Sequence, residues 1–390
     1  MKSLKIAVIT STRADWGLLS PVARALDARP DTEVAIIATN MHLMERYGMT
    51  VNEITDCGLT VSRRVPMDVA DDTPASRVKA MALCLDGMAD ALAELAPDLA
   101  LILGDRYEML AVASACSVMT IPIVHIAGGE VSEGAVDDSI RHAITKLSAL
   151  HLTATEPYRR RVIQMGEAPD RVINTGAIGV WNIMNTPLLS AAELADTLDG
   201  FVCDPRRTLL VTYHPATLDS DADPAERFDE LLAALDRFTD CNVLITYPNN
   251  DARGNAVIAR IEDYAAANAD RVKAVKSLGM KRYLSAVKHC AAVVGNSSSG
   301  IVEVPSLHRP TVDIGMRQRG RLAARSVLHC ADDADAIADA IVFALSPEGQ
   351  ALARDARNPY YKPDTLSLMV NAIVGADPAR LRHKTFYDLD

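Results

Sequence analysis

Short apolar runs that end in polar turns, with helical segments between them, constrain this chain more than any other feature. LKIAVITS (4–11), TEVAIIAT (32–39), DLALILGD (98–105), IPIVHIAG (121–128) and LHLTAT (150–155) are continuous apolar stretches bounded by turn residues. Strands of this kind are buried on both faces, as parallel strands covered by helices are. Helix-period segments such as WGLLSPVARALDAR and RVKAMALCLDGMADALAELA lie between them, the first helix expected from near Gly17. The pattern then restarts with TLLVTYHP (208–215), NVLITYPN (242–249), AAVVGNSSSG (291–300) and PTVDIG (310–315). Two successive βα runs predict an α/β protein of two doubly wound, Rossmann-type domains, each binding ligand at the carboxyl ends of its strands. The length of 390 residues agrees with two domains, because single cores stop growing at about 250–300 residues. GAIGVWNIMNTPLLSAAEL (176–194) reads as the junction, giving domains over 1–176 and 177–358. A closing helix within 359–390 is expected to cross back to the first domain.

A net charge of −11 argues against broad nucleic-acid binding, yet leaves room for an anionic small ligand held by a few arginines. The seven cysteines are scattered, with no CxxC pair and no Cys/His cluster, so reduced thiols are expected and a zinc site is not. The start, MKSLKIAVITSTRADWG, lacks the features of a signal peptide, and no run of about 18 apolar residues occurs. A cytoplasmic protein without membrane or nucleic-acid partners is the expectation, as a homo-oligomer (dimer or tetramer).

Polar clusters recur where the strands end. Ser11 to Asp15 follow the first strand without a GxGxxG fingerprint, and no GxxxxGK[ST] loop occurs, so nicotinamide and P-loop readings lose support. Arg13 at a helix entrance either clamps a phosphate or is an exposed loop arginine. Asp105, in GDRYE, either caps the next helix or does chemistry, and Arg106 either pairs with it or reaches an anion. GNSSSG (295–300) is the best phosphate cradle, and Glu303 one turn on suits ribose hydroxyls. RQRGR (317–321) adds cations, and His214 in TYHP is held at a rigid strand edge. In HIAGGEVSEGAVDDSIRHAITK (125–146) a helix is expected from about Asp137, with Asp137/Arg141 and Asp138/His142 as pairs on a shared face. DSDADPAERFDE (219–230) imitates an EF-hand loop, but Pro224 stands where glycine is needed, so calcium is not expected.

STRADWGLL, GDRYEML, the GGE–DDSIRHAITK block, TYHP, YPNND, GNSSSGIVEVPS and GMRQRGR, in this order, resemble the hydrolysing UDP-N-acetylglucosamine 2-epimerases over nearly the whole chain. The resemblance implies a GT-B-like fold with the active site in the interdomain cleft, and a nucleotide-sugar substrate with no cofactor. It implies release of UDP and a free N-acetylmannosamine-type sugar through a glycal-like intermediate, for sialic or related nonulosonic acids. By match to the family's motifs, Asp105 and Asp137 are the catalytic carboxylates. Arg13, Arg106, His214, Ser297, Ser298, Glu303 and Arg317 are nucleotide-diphosphate contacts; the strand-end position of His214 by itself suits an acid, a base or a phosphate partner. His42 falls near the sugar, Asn249 in the loop facing the nucleotide, and Arg141 and His142 orient Asp137 or line the pocket.

One departure matters. Family members acting on UDP-N-acetylglucosamine often carry a catalytic glutamate where this chain has Ala127. Either Glu130 takes over or the acid–base set differs. The small residue also leaves room for a substituent such as a 4-acetamido group, as in the branches that hydrolyse UDP- or GDP-linked 2,4-diacetamido-2,4,6-trideoxyglucose in the legionaminic acid pathway. A non-hydrolysing epimerase, a GT-B glycosyltransferase and a nucleotide-sugar sensor are the competing readings; fold alone does not separate them.

Overall fold

The computed structural model describes residues 3–45, 48–67, 73–131, 136–214, 224–248 and 254–389. The chain divides into two compact units, Met1–Asn182 together with Lys362–Asp390, and Ile183–Tyr361.

The first unit is built on β1 (Leu4–Thr10), β2 (Thr32–Thr39), β3 (Val61–Val65), β4 (Leu99–Leu103), β5 (Ile123–Ile126), β6 (Leu150–Thr153) and β7 (Val172–Asn174). They form one seven-stranded sheet in the order β3-β2-β1-β4-β5-β6-β7, with every pairing parallel. Successive residues of β1 go to opposite faces: Ile6 and Val8 join one apolar cluster with Trp16, Leu19 and Met369, while Ala7 and Ile9 join another with Met88 and Val112. That double coverage is why the central strands read as unbroken apolar runs.

The second unit repeats the plan with β8 (Thr208–Thr212), β9 (Asn242–Thr246), β10 (Val272–Val275), β11 (Ala292–Gly295), β12 (Thr311–Ile314) and β13 (Val327–Cys330). Its order is β10-β9-β8-β11-β12-β13. In both sheets the strand order reverses beside the first strand, between β1 and β4 and between β8 and β11. Open parallel sheets bind ligands at such a switch point, beyond the carboxyl ends of the strands.

Two of the boundaries that differ from the sequence reading bear on the site. The first helix starts at Arg13 rather than near Gly17, because Thr12 and Asp15 form a capping box that satisfies the first turn. The strand in IPIVHIAG stops at Ile126, because Ala127 turns into the left-handed region at φ 67°.

The chain's last segment is tied to the first unit. Trp181 donates to the Pro363 carbonyl at 3.2 Å and Lys362 to the Asn174 carbonyl at 2.8 Å. The Lys384 ammonium reaches the Lys146 and Ser148 carbonyls and, at 2.8 Å, the buried Glu167 carboxylate. Lys146 at 2.6 Å and the fully buried His151 at 3.0 Å meet that same carboxylate. Burial alone would raise Glu167, but these bonds outweigh it and hold the carboxyl down at about 2. Removing one member of such a cluster leaves buried charge unpaired. Glu167→Gln is therefore expected to lower the unfolding free energy near neutral pH by roughly 3 kcal/mol. The folded carboxyl titrates below its ordinary value of 4.5, so the contribution is complete above that value and is lost as pH falls toward about 2. Denaturant titrations near pH 7 and near pH 3 should show the gap between wild type and variant narrowing at the lower pH.

Candidate active site

At the first switch point, β1 runs into Ser11–Asp15 and β4 into Gly104–Arg106. Asp15 accepts from the Ser11 hydroxyl at 2.6 Å and from the Thr12 amide at 3.1 Å, so it is spent on shaping this turn. Burial raises its carboxyl above the usual aspartate range, against the bond from Ser11. Arg13 opens the helix Arg13–Asp27; its side chain is 75% exposed and pairs with Glu53 at 3.0 Å. It stands at a helix N-terminus, held only by a surface ion pair worth about 1 kcal/mol or less.

Arg106 does not pair with Asp105. Its guanidinium is taken by Glu108, a carboxylate with no exposed side-chain surface. Burial would lower the Arg106 proton affinity, but Glu108 and then Asp15 outweigh it and raise it. Asp105 does not cap the next helix either: the helix Tyr107–Val118 has Arg106 at its N-cap with no side-chain cap. The Asp105 carboxylate instead meets Arg141 from the helix Val136–Leu147.

Arg141 is the centre of this rim. Its side chain is 4% exposed, and besides Asp105 it donates to Asp138 at 3.1 Å and to the Glu130 carbonyl at 2.9 Å. The expected pairing of Arg141 with Asp137 gives way to Asp138, one residue nearer, and to Asp105 beyond the end of β4. Asp138 also meets His142 at 3.3 Å, the pair that the spacing predicts. Asp137 is exposed beside them, and its carboxyl is raised above the usual range. Partial loss of hydration is the largest cause and the Asp105 charge the next; Arg141 and Arg106 oppose it. Two neighbouring carboxyls in unlike electrostatic surroundings are what an acid–base pair requires.

His42 is fully buried, with its ring nitrogens engaged by Thr10 at 3.0 Å and Thr50 at 2.9 Å. Burial pushes it down to about 4, so it is neutral at ordinary pH. It braces the strand ends and offers no free nitrogen. The Ala127 methyl packs against the first apolar cluster, not into open space, and the φ of 67° makes it a strained position for an L-residue. Glu130 supplies the carbonyl that Arg141 holds.

At the second switch point Asn296 is the hub, a residue the sequence reading passed over in favour of the serines beside it. Its side chain clasps His214 in both directions, accepting from the His214 amide at 2.8 Å and donating to the His214 carbonyl at 2.8 Å. Its own carbonyl accepts from Arg317 at 3.0 Å and Gln318 at 2.9 Å. Gly295 before it has φ 143°, and a Cβ there would lie 2.0 Å from the Thr212 carbonyl oxygen, so only glycine lets the two strand ends approach. Ser297 caps the short helix Ser298–Val302, and Ser298 is exposed at its first position. Glu303 is bonded by the Ser299 hydroxyl. Although its residue is only partly buried, desolvation raises its carboxyl above the usual glutamate range. Tyr283, also unmarked in the sequence reading, brings its hydroxyl close to Ser299 and Thr212 without a fully formed hydrogen bond.

Asn249 lies outside the described residues, as do residues 132–135 and 215–223. Among the described residues no group of His, Cys, Asp and Glu could hold a metal ion, and no helix is long and apolar enough to cross a membrane.

Two outcomes follow from this geometry. Asp105→Asn removes a neighbour that raises Asp137, so the Asp137 carboxyl should titrate at lower pH than in the wild type, as followed by carbon NMR of labelled aspartates. Ala127→Gly relieves the left-handed strain and should leave stability equal or higher by about 1 kcal/mol. Ala127→Val should cost more than about 2 kcal/mol, since a β-branched side chain tolerates that backbone least. Denaturant unfolding of both variants measures the difference.

A family model described as UDP-N-acetylglucosamine 2-epimerase matches residues 24–374. The chain is 38% identical over 328 residues to a GDP/UDP-N,N'-diacetylbacillosamine 2-epimerase (hydrolyzing) of Campylobacter jejuni, covering 84% of each chain. It is 36% identical over 341 residues to a UDP-N,N'-diacetylbacillosamine 2-epimerase (hydrolyzing) of Legionella pneumophila, covering 87% of this chain and 88% of the relative. In fold it is similar to a UDP-GlcNAc 2-epimerase from Neisseria meningitidis whose crystal structure holds UDP-GlcNAc, with a TM-score of 0.73 at 16% identity, over 96% of this chain and 100% of that one. The two parallel-sheet units are those of a GT-B-like protein, and the chain belongs to the UDP-N-acetylglucosamine 2-epimerase family.

Proposed function

We propose that this protein is a hydrolysing 2-epimerase of a nucleotide-linked 2,4-diacetamido-2,4,6-trideoxyglucose, that is, of N,N'-diacetylbacillosamine carried on UDP. The observation that carries the reaction class is the Asp105–Arg141 pair with Asp137 beside it at a switch point, in a chain of this family. The sugar follows from the two relatives above 35% identity, both named for the diacetamido substrate.

In this reading the C2 proton passes to a carboxylate of the first unit as the C1–O bond to the diphosphate breaks, leaving a glycal-like intermediate. Water adds at C1, and C2 is reprotonated from the opposite face, so substrate and water give UDP and the free 2-epimer. Asp137, whose carboxyl is raised above its ordinary value, is one partner, and Asp105 or Glu130 the other. The anionic leaving group falls to the second unit. Ser297, Ser298 and the helix behind them donate to phosphate, Arg317 and His214 add cationic and hydrogen-bonding groups, and Glu303 takes the ribose hydroxyls. Arg13 is a second phosphate contact. The free sugar suits synthesis of a nonulosonic acid of the legionaminic type.

UDP-N-acetylglucosamine itself is the second reading, favoured by the description of the family model. A panel of nucleotide sugars separates the two: kcat/KM for the diacetamido substrate should exceed that for UDP-N-acetylglucosamine by about tenfold or more, and the reverse order would reject the proposed sugar. Asp105→Asn and Asp137→Asn should each lower kcat by at least about 100-fold while UDP affinity stays within a few-fold of wild type. Parallel loss of affinity and rate would assign those residues to folding instead.

A further inference from the structure

His125 lies inside the apolar strand β5, where the sequence gives it no role, and it has no exposed surface. Its Nε2 is 2.8 Å from the Gly104 carbonyl, the last residue before Asp105. A carbonyl only accepts, so Nε2 carries the proton and Nδ1 is the lone-pair nitrogen. That Nδ1 lies 3.3 Å from the Thr145 hydroxyl, whose single hydrogen goes either to Nδ1 or to the Arg141 carbonyl 2.9 Å away. The ring is therefore wedged between the residue preceding Asp105 and the helix turn that bears Arg141, and Arg141 in turn meets Asp105. The fit is tight from the third side as well. A Cβ on Gly128 would lie 3.1 Å from both the ring Nδ1 and the Thr145 hydroxyl, so the turn after Ala127 closes directly over this contact.

The groups facing the ring from neighbouring elements are Gly104 on β4's end, Thr145 and Arg141 on the helix, and His151 on β6, paired in register with His125. Burial, with His151 and Arg141 adding to it, pushes the imidazole down to about 3, so it neither gains nor loses a proton over the working range.

We infer that His125 is the positioning residue of this site: its Nε2–H fixes the Gly104 carbonyl and thereby the placement of Asp105 against Arg141. It touches no substrate, and it acts through Asp105, so this inference rests on the functional reading above. Side-chain geometry supplies the test. A glutamine places its amide nitrogen where Nε2 lies and can still donate to Gly104, whereas phenylalanine keeps the ring and loses the donor.

His125→Phe is expected to lower kcat by tenfold or more with KM within twofold of wild type, and His125→Gln to stay within threefold of wild type in both. Hydrogen exchange read by mass spectrometry provides a measure independent of turnover. Peptides spanning residues 99–110 and 136–147 should exchange faster in His125→Phe and as in wild type in His125→Gln. Equal behaviour of the two variants, in rate and in exchange, would overturn the inference, as would a fall in kcat matched by an equal rise in KM. If the wild type turned over no nucleotide sugar, the functional reading would fail, while the exchange comparison would still decide the role of His125. Should His125→Phe not fold, a glutamine variant that folds but loses kcat more than tenfold would by itself count against the inference.

Discussion

A guanidinium that is 4% exposed has to be paired, and the first rim is organised around that requirement. Arg141 meets Asp105 from the end of β4, Asp138 from its own helix and the Glu130 carbonyl from the turn after β5. Three separate stretches of chain are thereby held at one place by one side chain. The left-handed Ala127 and the close packing of Gly128 on His125 lie in the same stretch of chain that presents the Glu130 carbonyl to Arg141. Asp137 is left outside this set of bonds, exposed and raised, and so able to exchange a proton without dismantling the scaffold.

The second rim solves the same positional problem around a neutral side chain. Asn296 holds His214 by two amide bonds and receives Arg317 and Gln318 on its carbonyl. A neutral hub suits a place intended for an anion, because a buried carboxylate there would repel the phosphates that Ser297, Ser298 and Arg317 are proposed to bind. The two sheets share the same order over six strands, the first adding β7 at its edge, and each hub stands near its sheet's switch point. The difference between ion pair and amide clasp then follows from the chemistry proposed for each.

The central strands were legible because they are covered on both faces and so read as unbroken apolar runs. The four strands the sequence reading omitted, β3, β7, β10 and β13, are the four sheet edges. VSRRV, VIN, VKAV and VLHC are short and half-exposed, so neither apolar continuity nor alternation marks them. At the site, Asp105, Asp137, His214 and the serine loop stood out because polar residues at strand ends are conspicuous. Their partners did not. Helical spacing assigned Arg141 to Asp137, but Arg141 pairs with Asp105, 36 residues away, a contact that only the sheet creates. His125 was hidden within an apolar run, and nothing in GDRYE marked Glu108 as buried. Asn296, between a glycine that no other residue can replace and a capping serine, was the one missed residue whose position in the sequence carried a usable signal.

The central claim is that carboxylates at the first rim move the C2 proton while the second unit releases the nucleotide. Proton NMR of the products formed from UDP-linked 2,4-diacetamido-2,4,6-trideoxyglucose in deuterated water tests it most directly. The account predicts free sugar of inverted C2 configuration carrying deuterium at C2, together with UDP. A sugar still attached to UDP, or free sugar with its original proton at C2, would contradict it.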